Sequence, residues 1–309
     1  MLNLLIHKIL SLAMIVAVGF LLVRFGPLES RDTKGLSRLN CYLIMPCSIF
    51  GAFQMNRSPE ILRGLSYVLL GAALIHGLYL LTTAVLRRPL KLTGPQQASA
   101  FCTNAGNLII PLVTAMLGKE WVIYTCAYIL IQTVLLWSYV KNLICRQKGV
   151  DLKAILLNPN ILALLAGGTL FLLNRPLGGV VGETVSAVSS MVGPSSMLVI
   201  GMTMGSQDMK KVLLKGKVWL TASLRLLVYP GLALGLLLAL GRLIPQGVPF
   251  FLITMLAASA PSAAVITHIC QLYDRDSGEA SAICTVTTLL CTLTIPLMIF
   301  LYTLLTGLS

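Results

Sequence analysis

The chain has 309 residues, 57% of them hydrophobic and only 11% charged, with a formal net charge of +13. Soluble chains carry about 25% charged residues, so this composition excludes a water-soluble globule and requires a protein embedded in lipid. The basic excess would suit a nucleic-acid binder only if it gathered on one surface, and instead it alternates from loop to loop.

Ten apolar runs have lengths near the roughly 20 residues that cross a bilayer core. The first, Leu4–Val23, has only Lys8 as a basic flank and no small-residue cleavage site after it. It reads as a span, not a secretion signal. Leu39–Met55, Leu65–Leu86, Ala98–Leu117 and Trp121–Val140 complete a first group of five. Ala154–Leu173 opens the second group and is interrupted by Asn158-Pro159-Asn160, with the proline expected in a helix first turn, where a missing N–H costs little. Val180–Met204, Val218–Leu240, Val248–Leu272 and Ala280–Leu305 follow. The loops are short and contain no low-complexity tract, so a single membrane transporter domain over 1–309 is expected, with one repeat at 1–145, a cytoplasmic linker at 146–153 and a second repeat at 154–309.

The basic residues set an expected sidedness. Of the 23 Lys and Arg, 16 fall on one side: Arg24, Arg31, Lys34 and Arg38; Arg87, Arg88 and Lys91; Lys141, Arg146, Lys148 and Lys153; Lys210, Lys211, Lys215 and Lys217; and Arg275. Six fall on the other, namely Lys8, Arg57, Arg63, Lys119, Arg175 and Arg242. The positive-inside rule makes the first side cytoplasmic and leaves both termini outside.

Fixed offsets relate the two groups. Pro46 matches Pro194 at 148 residues, Met55 matches Met204 at 149, Gly64 matches Gly216 at 152, and Pro111 matches Pro261 at 150. An odd number of spans per unit turns the second unit upside down, which is an inverted-topology repeat.

The fourth and ninth segments are polar where a membrane helix should be apolar. Thr103-Asn104-Ala105-Gly106-Asn107 precedes Pro111, and Ala258-Ser259-Ala260-Pro261-Ser262 interrupts the ninth. A proline inside a span removes one hydrogen bond and crowds the carbonyl four residues back. Irregular backbone at that depth is tolerated only inside protein or beside a watery cavity. Matching broken segments in the two halves point to a binding site. The resumed half-helices would aim two N-termini at one central point, which suits an anion. For Pro46, Pro194 and Pro230, a simple kink is the favoured reading.

The carboxylates support an anion by absence. Asp32, Asp151, Asp208, Asp274, Asp276, Glu29, Glu60, Glu120 and Glu279 fall in loops or at span ends, and Glu183 lies within a span near its outer end, where solvation is expected. Proton relays and cation sites in membranes normally use buried Asp or Glu. Arg225 is the one strongly basic residue inside a span. It either snorkels to the interface or serves as a counter-charge to an anion or to helix carbonyls. His76 and His268 are expected to be packed and hydrogen-bonded. Gln132 either lines a cavity or bonds a neighbouring helix.

The eight cysteines include no CxxC, and all but Cys145 lie in spans, as small packing residues. HExxH, GxSxG and an intramembrane Asp pair are missing, so no enzyme chemistry and neither cofactor nor metal is expected. Gly201 to Gly205 and Gly231 to Gly235 have the GxxxG spacing of close helix packing.

Several motifs together resemble the auxin efflux carrier family. These are Ile44-Met45-Pro46-Cys47-Ser48-Ile49-Phe50, Asn104-Ala105-Gly106-Asn107-Leu108-Ile109-Ile110-Pro111, Asn158-Pro159, Gly193-Pro194-Ser195-Ser196-Met197-Leu198-Val199-Ile200-Gly201, Ala260-Pro261-Ser262-Ala263-Ala264, Thr287-Thr288-Leu289-Leu290 and Ile295-Pro296. The similarity runs in order over nearly the whole chain. It implies an all-α membrane protein of ten helices in two inverted five-helix repeats, with the fourth and ninth broken and crossing at the midplane, that transports organic anions. Plant members move auxin, and bacterial ones are usually described as malate or other carboxylate permeases. The long cytoplasmic loop of the plant exporters is missing, leaving Cys145 to Lys153, so the chain resembles a compact microbial member.

The expected substrate-binding residues are Thr103, Asn104, Gly106, Asn107 and Pro111 in the fourth segment, Ser259, Pro261 and Ser262 in the ninth, Ser48 and Gln132. The expected partners are a small organic anion and the lipid bilayer, with a homodimer admitted and no nucleic acid. The expected location is a bacterial inner membrane. Two activities stay open: a secondary transporter or uniporter of a small organic anion such as malate or an auxin-like acid, working by alternating access, and a sodium- or proton-coupled antiporter or symporter of the same architecture.

Overall fold

The computed structural model describes residues 2–145, 149–150, 152–208, 215–273, 275 and 277–308. Arg146, Lys148, Asp151, Lys210, Lys211, Asp274, Asp276 and part of the expected linker lie outside the described residues. The described elements are helical, with one isolated backbone bridge. Five helices are long and apolar enough to cross a membrane: Pro59–Leu86, Lys119–Cys145, Gly179–Gly205, Gly216–Leu243 and Ser277–Thr306. Four shorter apolar helices, Leu10–Arg24, Ala105–Met116, Pro159–Leu172 and Pro245–Ala258, join them. The protein is therefore an all-α, multi-span membrane protein. The expected second span, Leu39–Met55, is helical over Asn40–Ile44 and Met45–Ala52, and its helix begins earlier than expected, with a polar stretch over Ser30–Leu39 that holds Arg31, Asp32, Lys34 and Arg38.

Prolines shape the helices in a consistent way. Wide π turns occur at Asn40–Ile44, Ala105–Ile109, Leu136–Val140 and Leu224–Val228. Three of them run straight into Met45-Pro46, Ile110-Pro111 and Tyr229-Pro230. The N–H before each proline bonds five residues back, as Met45 to Asn40, Ile110 to Ala105 and Tyr229 to Leu224. The wider turn draws the crowded carbonyl away from the proline ring, so the chain passes the proline without losing its helix. Pro159 occupies a helix first turn behind the Asn158 cap, as its sequence suggests.

Close packing uses glycine at one of the two expected places. The helix Leu2–Arg24 lies along Val192–Gly205 so tightly that a Cβ on Gly201 would enter the Val16 carbonyl, while Gly19 faces Leu198 and Gly205 faces Phe20. Gly231 and Gly235 have open space beside them, so their spacing marks no helix contact. Large apolar side chains such as Leu81, Val85, Leu165, Leu293 and Leu304 are exposed and form a surface suited to acyl chains.

The loops gather at two ends. At one, Lys217 donates to the Leu90 carbonyl (2.8 Å), Arg275 to the Cys145 carbonyl (3.1 Å), and Gln96 to the Glu279 carboxylate (2.6 Å). At the other, Arg57 donates to the Leu172 carbonyl (3.1 Å), Lys119 to Ser186 (3.3 Å), and the Leu177 N–H to Gln54 (2.7 Å).

Candidate functional site

The fourth segment begins with a capping box, in which the Thr93 side chain accepts from the Gln96 N–H and the Gln96 side chain accepts from the Thr93 N–H. Its helix Gly94–Phe101 stops at Cys102, which is extended, and the chain leaves the helical path until the π turn at Ala105–Ile109 leads into Ile110–Met116. The ninth segment is helical over Val248–Ala258, irregular over 259–264, and helical again over Val265–Leu272. The two interruptions meet. Thr103 and Ser262 form an antiparallel bridge, the Asn104 N–H donates to the Pro261 carbonyl (2.8 Å), and the Ala263 N–H donates to the Cys102 carbonyl (3.1 Å). Each break thus supplies the other with the backbone partners that water cannot provide at this depth.

The break in the fourth segment does not fall at Pro111. It lies at Cys102–Asn104, eight or so residues earlier, and Pro111 is absorbed by the π turn and packs in the first turn of Ile110–Met116. Pro261 does lie within its break. The residues that face each other are therefore Thr103 and Ser262 rather than the two prolines.

Side chains close the remaining gaps. The Gln132 Oε1 accepts from the Thr103 N–H (2.9 Å) and hydroxyl (2.7 Å), and its Nε2 donates to the Thr103 carbonyl (2.8 Å). Gln132 therefore stands in for a missing strand partner, and of its two expected roles it takes the one of bonding a neighbouring helix. The Ser262 N–H donates to Thr287 Oγ1 (3.1 Å). The Ser259 hydroxyl is spent on the Met255 carbonyl of its own helix (2.8 Å). Asn107 accepts from Asn40 (3.2 Å), which also donates to Ser196 (2.9 Å) and accepts from Ser195 (3.1 Å). Gly106 sits against the flexible end of Met45. Ser48 is buried in Met45–Ala52 and makes no hydrogen bond to the breaks among the described residues.

Some polar groups at the crossing are left over. Asn104 Nδ2 and Ser262 Oγ are buried and, like Arg225 Nε, have no partner among the described residues. A buried polar group without a partner is costly, so such atoms in a native fold call for a ligand or water.

Arg225 is fully buried in the π turn Leu224–Val228 and does not reach an interface. Its Nη1 donates to the carbonyls of Ala100 (3.0 Å) and Phe101 (3.3 Å), and its Nη2 donates to the Ala258 carbonyl. These carbonyls end the two half-helices that enter the crossing. The rings of Tyr79 and Tyr229 lie 5.4 and 5.7 Å from the guanidinium. Of the expected roles for Arg225, counter-charge to helix carbonyls is the one the geometry bears out.

His76 is packed against Tyr128 and Phe101 and bonded through Nδ1 to the Ala72 carbonyl (2.8 Å), as expected of an ordinary core histidine. Glu183 is exposed, and no Asp or Glu is buried among the described residues.

The family described as membrane transport protein matches residues 4–299. The chain belongs to this family of transporters, the auxin efflux carriers. It is also 27% identical over 303 residues to an uncharacterized transporter of Methanothermobacter thermautotrophicus, covering 94% of this chain and 96% of that one. The carrier's role is accordingly transport across a membrane and not catalysis.

The carrier uses residues that sequence reasoning passed over. Asn40 joins Asn107 to Ser195 and Ser196, and its only signal is an amide at the edge of an apolar run. Thr287 lies in a motif that carried the family resemblance but gave no hint of its bond to Ser262. Tyr79, Thr83 and Tyr229 form a second buried group, with Thr83 and Tyr229 hydroxyls 2.7 Å apart.

Proposed function

We propose that the carrier moves a small organic anion, a carboxylate such as malate or an auxin-like acid, by alternating access around the crossing of its fourth and ninth segments. The observation that carries this reading is the charge balance at the crossing. Arg225 covers the carbonyl ends of the entering half-helices, the resumed half-helices begin beside the crossing, and no buried carboxylate among the described residues opposes an anion. Each helix N-terminus carries roughly half a positive charge. Asn104 Nδ2 and Ser262 Oγ are the unpartnered groups that would bond the substrate, and Asn107 and Gly106 flank them. Thr103, Gln132, Ser259 and Pro261 shape the site, Pro111 follows in the helix Ile110–Met116, and Ser48 completes the proposed set from the second segment.

In the same reading, the ten segments form two inverted five-helix repeats, 1–145 and 154–309, within a single domain, and the crossing lies at the bilayer midplane. The carrier resides in a bacterial inner membrane with both termini outside. Cation coupling finds no observation in its favour.

Placing a negative charge at Ser262 tests the anion. Ser262→Asp should abolish counterflow of labelled carboxylate in proteoliposomes, because the new charge occupies or repels the same field, whereas Ser262→Asn of similar size should cost much less. Equal dicarboxylate flux through both variants would defeat the reading. So would Ser262→Asp gaining cation transport without losing anion flux.

A further inference from the structure

We infer that the helix Ser30–Leu39 carries a binding surface for an anionic phospholipid, whose phosphate sits among Arg31, Lys34 and Arg38 while its acyl chains run past Tyr42. The surface lies apart from the crossing and does not depend on what the carrier moves. The helix has two distinct faces: Thr33 and Asn40 are buried and Leu36 and Ser37 half-buried, whereas Arg31, Lys34 and Arg38 are exposed. Spacings of three and four residues stack the three cations on one side of the helix, away from the packed one. Tyr42, one turn beyond Arg38, is 71% exposed, and Leu39 and Leu43 are exposed beside it. Apolar side chains exposed in a span face lipid, and a tyrosine there belongs at headgroup level. The side that carries the cations is therefore also the side that meets acyl chains. From Arg38 to Arg31 the helix rises about 10 Å. That rise carries the cations from the acyl boundary through a headgroup layer about 5–8 Å thick.

The charges on this face remain available. At the same end of the molecule, Lys217 and Arg275 are taken up by the Leu90 and Cys145 carbonyls. Lys34 and Arg38 make no ion pair among the described residues, where the two ion pairs are Arg31 with Glu29 and Arg63 with Glu60. The Arg31 pair uses Nε at 3.2 Å, and its side chains are 80% and 66% exposed, so water and salt screen it and it competes weakly with a phosphate. Asp32 is occupied by the Glu29 N–H (2.8 Å). At the other end, the helix Gly179–Ser190 that opens the seventh segment has Glu183 as its one charged residue, so the basic face belongs to one end alone. A second copy of the chain suits this face poorly. A two-fold axis along the membrane normal would set the basic face against itself, cation on cation.

The test measures lipid retention by native mass spectrometry, on carrier in detergent offered phosphatidylglycerol or phosphatidylcholine of equal chain length. Wild type should hold phosphatidylglycerol about tenfold or more tightly, since each Lys or Arg near an anionic headgroup contributes about fivefold. The triple variant Arg31→Gln/Lys34→Gln/Arg38→Gln should lose most of that preference. A control, Arg87→Gln/Arg88→Gln/Lys91→Gln, removes three exposed cations of the same end and should keep it. Equal retention of the two lipids by wild type overturns the proposal without any variant. A preference that survives the first triple variant, or falls as far in the control, overturns it as well. Displacement of the lipid by millimolar inorganic phosphate would make the surface a site for a free anion, and an unchanged preference with an altered oligomeric mass would make it a contact between copies. Either result also overturns the proposal.

Discussion

Asn104 and Gln132 stand next to the same bridge and do different work, and substitution should separate them. Gln132 makes three hydrogen bonds to Thr103, so Gln132→Ala should cost about 2–3 kcal/mol of stability at about 1 kcal/mol per bond. A thermal melt in detergent reads that loss. The Asn104 amide nitrogen has no partner among the described residues, so Asn104→Ala should change stability by less than about 1 kcal/mol while strongly reducing flux. Asn107→Ala should also reduce flux strongly with membrane insertion intact. Wild-type flux in both asparagine variants, normalised to protein level, would remove the crossing from the mechanism. The sequence made these residues visible because amides and hydroxyls are conspicuous in an apolar run. Their division of labour was hidden because it depends on which neighbour lies across the bridge, and Gln132 is 29 positions from Thr103.

At the level of the helices, the pattern of apolar runs was legible and the response to proline was not. The expected segments all contain helix, because lipid leaves the backbone no other way to satisfy itself. The fourth segment breaks at the polar run Cys102–Asn104, which finds its partners in another segment, and not at Pro111, since a π turn lets a helix pass a proline. The two GxxxG spacings were indistinguishable for a related reason: spacing gives the face of a helix, not what lies against it. Gly201 touches Val16 and Gly235 touches nothing. Gly201→Ala should therefore destabilise the carrier by about 1–3 kcal/mol through overpacking. Gly235→Ala should be neutral or stabilise it by up to about 1 kcal/mol, the difference in helix propensity. Melting temperatures of the two variants in the same detergent decide it, and a loss at Gly235 equal to that at Gly201 would contradict the packing.

Over the whole molecule, the tertiary contacts and the charge pattern agree on how the loops divide. Lys217 with Leu90, Arg275 with Cys145 and Gln96 with Glu279 join loops on the side with 16 basic residues, and Arg57 with Leu172, Lys119 with Ser186 and Gln54 with Leu177 join loops on the side with six. These contacts fix which loops share an end but not which end faces the cytoplasm. Charge assigns that, because loops rich in Lys and Arg are retained inside during insertion. The loop from Ser206 to Lys217 should therefore be cytoplasmic, with both termini outside. Ser206 is exposed at the end of the helix Val192–Gly205, which makes it a suitable reporter. In a cysteine-free background, Ser206→Cys should react with a membrane-impermeant maleimide only after the cells are opened, and a cysteine at exposed Asn174 should react from outside. Labelling of Ser206→Cys in intact cells would reverse the orientation and turn both termini inward. The pairing of loops would survive that result, since it rests on contacts within the fold.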